Sequence, residues 1–385
     1  MLPTTEINPL AKMVLLALIS VAIGSCGKMR TGAADEVAQV AVNDSSELAV
    51  IAYYLGDGMD LDRYDFNKVT HIIYSFVHLD GNQISFLGPE AIETYQRLVA
   101  LKQTYPHLKV MFALGGWGGC EPCSEIFADP DNRKAFAQST LGTLRRYGGD
   151  GLDLDWEYPS IEGHPGHPYG PGDKANFTAL VKELRQTLGE DYLLSFAAGG
   201  FTEFLEKSVD WHAIMPLLNN VNLMSYDLVN GFSKVTGHHT PLYSTPAQKE
   251  STDNAVQYLL NLGVPAEKII IGAAFYSRVW ENVDSTNNGL YQSGVHIPGI
   301  RFTEIPQTYT VEAGYQYLWD DVAKAPYVYH PEKKQFATFD DTRSMRAKTQ
   351  YVKQQQLGGI MFWQLPGDHD TQSLVDVIYD EKIAP

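Results

Sequence analysis

Residues 150–159 read Asp-Gly-Leu-Asp-Leu-Asp-Trp-Glu-Tyr-Pro. Along a β-strand the side chains alternate between two faces. Asp153, Asp155 and Glu157 therefore project together, about 7 Å from one to the next, while Leu152, Leu154 and Trp156 face away. Three carboxyls on one face of a buried strand oppose folding through lost hydration and mutual repulsion, so stability alone would not retain them. A calcium loop does not account for the row: it needs Gly at its sixth position, and counting from Asp153 that residue is Tyr158. An exposed edge strand with alternating acids is at odds with the aliphatic residues between them.

Outward from this strand, similar aliphatic or β-branched runs recur at 49–54, 70–76, 109–114, 193–198, 221–225, 268–274 and 358–362. Counted with 151–156 they make eight. Their length and continuous apolarity suit parallel strands buried on both faces. Helical spacing lies between several of them, as in 175–188, where Phe177, Leu180, Val181, Leu184 and Leu188 form one stripe. Eightfold alternation of strand and helix predicts an α/β fold, a (β/α)8 TIM barrel. One interval is too long: 90 residues separate Lys268 from Gly358. The excess, 280–339, is rich in Tyr and contains strand-like pieces, and it reads as a small α+β insertion between the seventh and eighth strands. The barrel then comprises 48–279 and 340–385. Loops that follow barrel strands sit on the catalytic face, so the insertion is expected to wall one side of the site.

The whole chain has 385 residues, a formal charge of −17 and 44% hydrophobic residues. That apolar fraction excludes general disorder, and the acidity argues against nucleic acid as a partner. Three cysteines are too few for a disulfide scaffold. Residues 13–24 form an apolar run with Lys12 at its flank, too short to span a bilayer and suited to a secretory signal, 1–25. The run ends at Ile23-Gly24-Ser25-Cys26, which resembles a lipoprotein lipobox with Cys26 as the lipidated residue. This predicts a lipid-anchored protein of the cell envelope, with a secreted one as the alternative, and membrane contact only through the anchor. Residues 26–47, rich in Ala, Gly, Ser and Asp, read as a flexible tether.

The acidic row matches the DGxDxDWEYP signature of family-18 glycoside hydrolases, the chitinase family, at every defined position, and the chain resembles that family over 49–380. Gly115-Gly116-Trp117, the segment Met224-Ser-Tyr-Asp227, Phe275-Tyr-Ser-Arg278 and Phe362-Trp363 carry the likeness further. The insertion resembles the α+β domain of the family's deep-cleft chitinases. The resemblance implies retaining, substrate-assisted hydrolysis of β-1,4 bonds between N-acetylglucosamine units of chitin or chitooligosaccharides, without metal or cofactor; a monomer is expected, though no residue pattern fixes the oligomeric state. It makes Glu157 the acid/base, Asp155 the group that holds the substrate's acetamido N–H, and Asp153 a proton-sharing residue behind it. Tyr226 is expected to donate to the acetamido oxygen. Tyr53, Phe76, Gly116, Trp117, Ala197, Met224, Asp227, Tyr276, Arg278 and Trp363 are expected to line the cleft. A charge on the neighbouring carboxylate is expected to keep Glu157 protonated near neutral pH.

One residue departs from the pattern. Many relatives carry Ser where this chain has Ala113, so Asp153 is expected to lack one partner, with Tyr53 or a water compensating. Cys120 and Cys123 lie just after Trp117 and are read as a local disulfide, ahead of a reduced pair or a zinc site. His164 and His167 fall in a Pro- and Gly-rich loop read as a cleft rim rather than a metal site. Two other functions are alternatives: an endo-β-N-acetylglucosaminidase acting on N-glycans, and a non-hydrolytic chitinase-like lectin. Retention of Glu157 counts against the lectin, and the long insertion against the glycan enzyme.

Overall fold

A computed structural model describes residues 48–384. The predicted signal segment, the tether and Cys26 lie outside the described residues. Eight parallel strands are present: β1 (Ala49–Tyr54), β2 (His71–Asp80), β3 (Lys109–Gly115), β4 (Gly151–Asp155), β5 (Leu193–Gly199), β6 (Asn220–Met224), β7 (Ile269–Ala274) and β8 (Gly359–Trp363). Each pairs with the next, and β8 pairs back onto β1, so the sheet closes into the expected barrel. β2 runs past its expected end through an irregularity between Ser75 and Val77 and folds back as a hairpin with Gln83–Ser85.

Strand alternation divides the apolar residues into two cores. Val50, Ala52, Ile72, Val110, Phe112, Leu152, Leu154 and Phe196 face outward and pack beneath the helices. Ile51, Tyr53, Ile73, Met111, Ala113, Ala197, Ile270 and Met361 fill the barrel interior. The longest helices are α1 (Pro89–Ala100), α2 (Pro130–Tyr147), α3 (Asp173–Leu188), α4 (Thr252–Asn261), α5 (Thr342–Gln354) and α6 (Leu374–Ile383). The expected stripe of α3 is buried against the sheet; truncating Leu180 to Ala there costs about 2–5 kcal/mol. α2 starts because Asp129 accepts from the amides of Asp131 and Asn132, and it stops at Gly148 in the left-handed region.

The alternation is not uniform. Between β1 and β2 lie only two 3-10 turns, Leu61–Arg63 and Phe66–Lys68, and no α-helix. The second turn is tied to α6, whose Asp376 pairs with Lys68 at 2.8 Å. Between β7 and β8 the chain builds a second, antiparallel sheet in the order Val295–Ile297, Arg278–Glu281, Gln335–Thr338, Ala325–His330, Gln316–Asp320. Trp280, Leu290, Tyr327, Tyr329 and Phe336 form its own core, and the Trp280 indole donates to the Ser233 carbonyl at 2.9 Å in the loop after β6. No helix among the described residues is long and apolar enough to cross a membrane.

Candidate active site

β4 carries the acidic row to the C-terminal mouth of the barrel. Asp153 and Asp155 are buried and Glu157, two residues past the strand, is partly exposed. Register decides who neighbours the rear carboxyl. Asp153 stands opposite Ala113 on β3 and Ser195 on β5. Ala113 offers no donor, but Ser195 Oγ donates to Asp153 Oδ1 at 2.5 Å and Asn222 Nδ2 to the same oxygen at 3.0 Å. Tyr53 donates to Oδ2 at 2.9 Å and itself accepts from Asn222 at 3.0 Å. Tyr53 therefore compensates as expected, while Ser195 and Asn222 were not anticipated. Their signal was present: each is a polar residue at an inward position of an otherwise largely apolar strand.

No hydrogen bond joins Asp153 to Asp155 among the described residues, and Asp155 Oδ1 is buried with no partner at all. Burial raises Asp153 to about 6, with its three donors opposing. Asp155 is pushed well above the ordinary carboxylate range by burial, then by the charges of Glu157 and Asp153. Glu157 is raised to about 7 by burial first, opposed by Tyr158 and assisted by the charge of Asp227. This amends the expected electrostatics: burial dominates, and the charge felt by Glu157 is that of Asp227, whereas the repulsion between Asp155 and Glu157 bears on Asp155. Three such groups cannot all be ionised at neutral pH, so the row keeps a proton that belongs to the set rather than to one member.

The other expected residues meet around this row. Met224 ends β6, and Tyr226 and Asp227 follow it. Among the described residues the Tyr226 hydroxyl has Met361 Sδ, at 3.9 Å, as its one hydrogen-bond acceptor, a weak one, and so has a proton to offer an incoming acceptor. Asp227 sits at φ 56° and is gripped by Arg278, with Nε to Oδ1 and Nη2 to Oδ2 both at 2.6 Å. Burial alone would raise Asp227, but His239, whose Nδ1 lies 3.6 Å from Oδ1, and Arg278 outweigh it and hold the carboxyl well below its ordinary range. Tyr276 lies under the Arg278 guanidinium at 5.2 Å and edge-on to Tyr226 at 6.2 Å.

Trp363 at the end of β8 stacks on Phe76 with ring centroids 5.4 Å apart and planes 17° apart, and Tyr53 lies 6.1 Å from it. Ala197 completes the interior cluster with Tyr53 and Met224. After β3, Gly115 and Gly116 are obligatory: a Cβ on the first would strike the Asp155 carbonyl, and on the second the Phe76 ring. Trp117 is the outlier of the set. It is 50% exposed and touches His164 and Phe232 rather than the interior cluster. Cys120 and Cys123 are joined by a disulfide with Cα atoms 5.2 Å apart. The His164 and His167 rings lie 4.4 Å apart, tilted by 40°, and His164 is the one beside Trp117. Among the described residues no group of three or more His, Cys, Asp or Glu is placed to hold a metal ion.

The arrangement can hold one proton at the mouth, orient a polar group against Asp155 and Tyr226, and stack a flat face on Trp363. Comparison with known proteins gives the same direction. The model described as Glycosyl hydrolases family 18 matches residues 49–368. Chitinase A1 of Niallia circulans is 35% identical over 298 residues, covering 71% of this chain and 42% of that protein. Chitinase B of Serratia marcescens is 30% identical over 384 residues, covering 80% of this chain and 75% of that one. Among solved structures, a family-18 N-acetylglucosaminidase from Paenibacillus barengoltzii superposes with a TM-score of 0.79 at 35% identity, covering 87% of this chain and 99% of that one. A Bacillus thuringiensis chitinase superposes with a TM-score of 0.82 at 27% identity, covering 88% and 70%.

Proposed function

The chain belongs to the glycosyl hydrolases of family 18, and from that membership and the geometry of the mouth we propose that it is a chitinase. Its substrate is chitin or chitooligosaccharide, cleaved at β-1,4 bonds between N-acetylglucosamine units with retention. The observation that carries the reading is the β4 row: a partly exposed Glu157 raised to about 7 in front of a buried Asp155 with an unpartnered oxygen.

In the proposed mechanism Glu157 donates its proton to the glycosidic oxygen as the bond to C1 breaks. The substrate's own acetamido oxygen attacks C1, and the Tyr226 hydroxyl donates to that oxygen before the attack. The acetamido N–H donates to Asp155, whose free oxygen is otherwise an uncompensated buried acceptor. Glu157, now ionised, takes a proton from water, which opens the cyclic intermediate from the side the leaving group vacated. The Trp363–Phe76 stack supplies an apolar floor for the sugar. Asp227, clamped by Arg278, lines the same sugar and keeps Glu157 protonated through its charge. Glu157→Gln should bind N-acetylglucosamine oligomers while losing at least about a thousandfold in kcat. Substantial residual hydrolysis would refute the assignment.

A second reading is release of single N-acetylglucosamine units from chain ends. It is favoured by the likeness to the N-acetylglucosaminidase, whose chain is matched over 99% of its length. Product analysis on the hexamer separates the two: monomer as the sole early product supports end-wise release, and dimers or trimers support chitinase action. We place the enzyme at the cell envelope, anchored through Cys26, on the sequence of residues 13–26; Cys26→Ser should then appear in the soluble fraction.

A further inference from the structure

Trp117 stands in a glycine-rich turn that a single backbone hydrogen bond closes, the Gly119 amide donating to the Gly116 carbonyl at 2.8 Å. Four of the five residues 115–119 are glycine, and Gly115, Gly116 and Gly118 all occupy the left-handed side at φ 107°, 77° and 88°. Such a chain has the largest backbone entropy to lose. The Trp117 indole makes no hydrogen bond among the described residues; its ring neighbours there are His164, edge-on at 5.4 Å, and Phe232, tilted by 48° at 6.2 Å. Beyond that turn and those two rings, its placement depends on what anchors the backbone at the two ends of the glycine run.

Both ends are fixed, by different means. At the front, the Gly116 amide donates to the Asp155 carbonyl at 2.9 Å, which ties the run to the catalytic strand. At the back, one residue past Gly119, the Cys120–Cys123 disulfide closes a single turn, with the Cys123 amide donating to the Cys120 carbonyl at 3.1 Å. Both half-cystines are buried, 3% and 0% exposed, in the core that also holds Phe127 and Trp156. Beyond the bridge, Ser124 Oγ donates at 2.7 Å to the buried Asp173, whose other oxygen accepts from Gly170 and Ser160. The bridge thus joins the glycine run to the loop after β4 that brings His164 against Trp117.

We propose that the Cys120–Cys123 disulfide is a positioning element for substrate binding, holding the Trp117 indole at the mouth so that oligosaccharide affinity depends on the bridge while the chemical step does not. The proposal rests on the functional reading above for what Trp117 touches. Opening the bridge is a two-electron step: an external dithiol delivers two electrons and two protons, the S–S bond becomes two thiols, and the dithiol closes to its cyclic disulfide. Released at its back end, the glycine run must be re-ordered each time a sugar binds.

The test compares the oxidised protein, the same protein reduced with dithiothreitol and alkylated, and Cys120→Ser/Cys123→Ser, each with the hexamer of N-acetylglucosamine. Opening the bridge should raise KM by about three- to tenfold, the cost of re-immobilising one large side chain and its loop, with kcat within about twofold. Trp117→Ala should raise KM similarly, and combining it with the double Ser variant should add nothing further. Circular dichroism checks that each protein is folded. An unchanged KM in the folded, bridge-free protein overturns the proposal, as does a fall in kcat at constant KM, or additivity with Trp117→Ala. Calorimetric Kd values for the hexamer read the same ratio without turnover. Binding without hydrolysis by the oxidised protein would sink the enzymatic reading alone, and no binding at all would sink both.

Discussion

Ser195 Oγ donates to Asp153 Oδ1 at 2.5 Å from the position on β5 that stands in register with Asp153 itself. The rear carboxyl of the acidic row is thus supported from β5 and β6, with Tyr53 of β1 on its other oxygen, while the β3 side presents only the Ala113 methyl. A buried carboxyl with three donors can ionise where one without them could not, and this sets how much negative charge the row holds behind Asp155.

Ser195→Ala should therefore shift the acid limb of the kcat/KM profile. The hydroxyl stabilises the ionised form of Asp153, so removing it raises that group above its present value of about 6. The limb should move to higher pH by about one unit, with a loss of about 1–3 kcal/mol in stability for the donor removed from a buried charge. A lower melting temperature with an unmoved limb would mean that Ser195 only packs.

Ala113→Ser predicts the opposite sign. Ala113 is fully buried in register with both Asp153 and Ser75, so a hydroxyl there can reach the same carboxyl from the third side. An added donor lowers Asp153, and the acid limb should move to lower pH. Introduced into Ser195→Ala, it should restore part of the lost range. Because the two residues share one partner, their effects should couple rather than add.

These two positions mark the boundary of what the chain discloses before folding. The carboxylate row is legible because strand alternation is local: three acids at spacing two must share a face wherever the strand lies. The barrel is legible because eight aliphatic runs repeat. Ser195 and Asn222 are visible only as polar residues at inward positions of their strands, and that they serve Asp153 depends on the stagger between strands, which no single strand encodes. The pairing of Asp227 with Arg278 and His239 joins two loop residues to the first residue of a strand of the second sheet and has no local signature. For Glu157, strand spacing points to Asp155 as its charged neighbour, whereas the loop past β6 brings Asp227 within its field and burial is the larger cause.

Asp227→Asn tests that field on the alkaline side. The Asp227 charge helps keep Glu157 protonated, and Arg278 is balanced by it. Without the carboxylate, repulsion is gone and the guanidinium favours ionised Glu157, so Glu157 loses its proton at lower pH. The alkaline limb should move below its position near 7, leaving activity at pH 5 far less affected than activity at pH 8. A uniform loss at every pH would instead assign Asp227 to substrate contact alone. Arg278→Ala leaves the Asp227 charge unbalanced, and the same limb should move upward.

The row also makes a prediction about stability. Glu157 titrates near 7 in the folded protein and near its ordinary value, about 4.3, when unfolded. Between these values the native state holds more protons than the unfolded one, so stability falls as pH rises through the window. Asp153 and Asp155, raised by burial, act in the same direction. Replacing Glu157 by Gln removes one of these groups and leaves an amide that needs no ionisation. Glu157→Gln should be more stable than the native enzyme by up to about 3.5 kcal/mol at pH 8, with the gap closing toward zero near pH 4. Urea unfolding at the two pH values measures it, and a gap of constant size would show that the carboxyl is not strained by its burial. An inactive variant that gains stability only where Glu157 would be ionised ties the cost of folding to the proton the reaction uses.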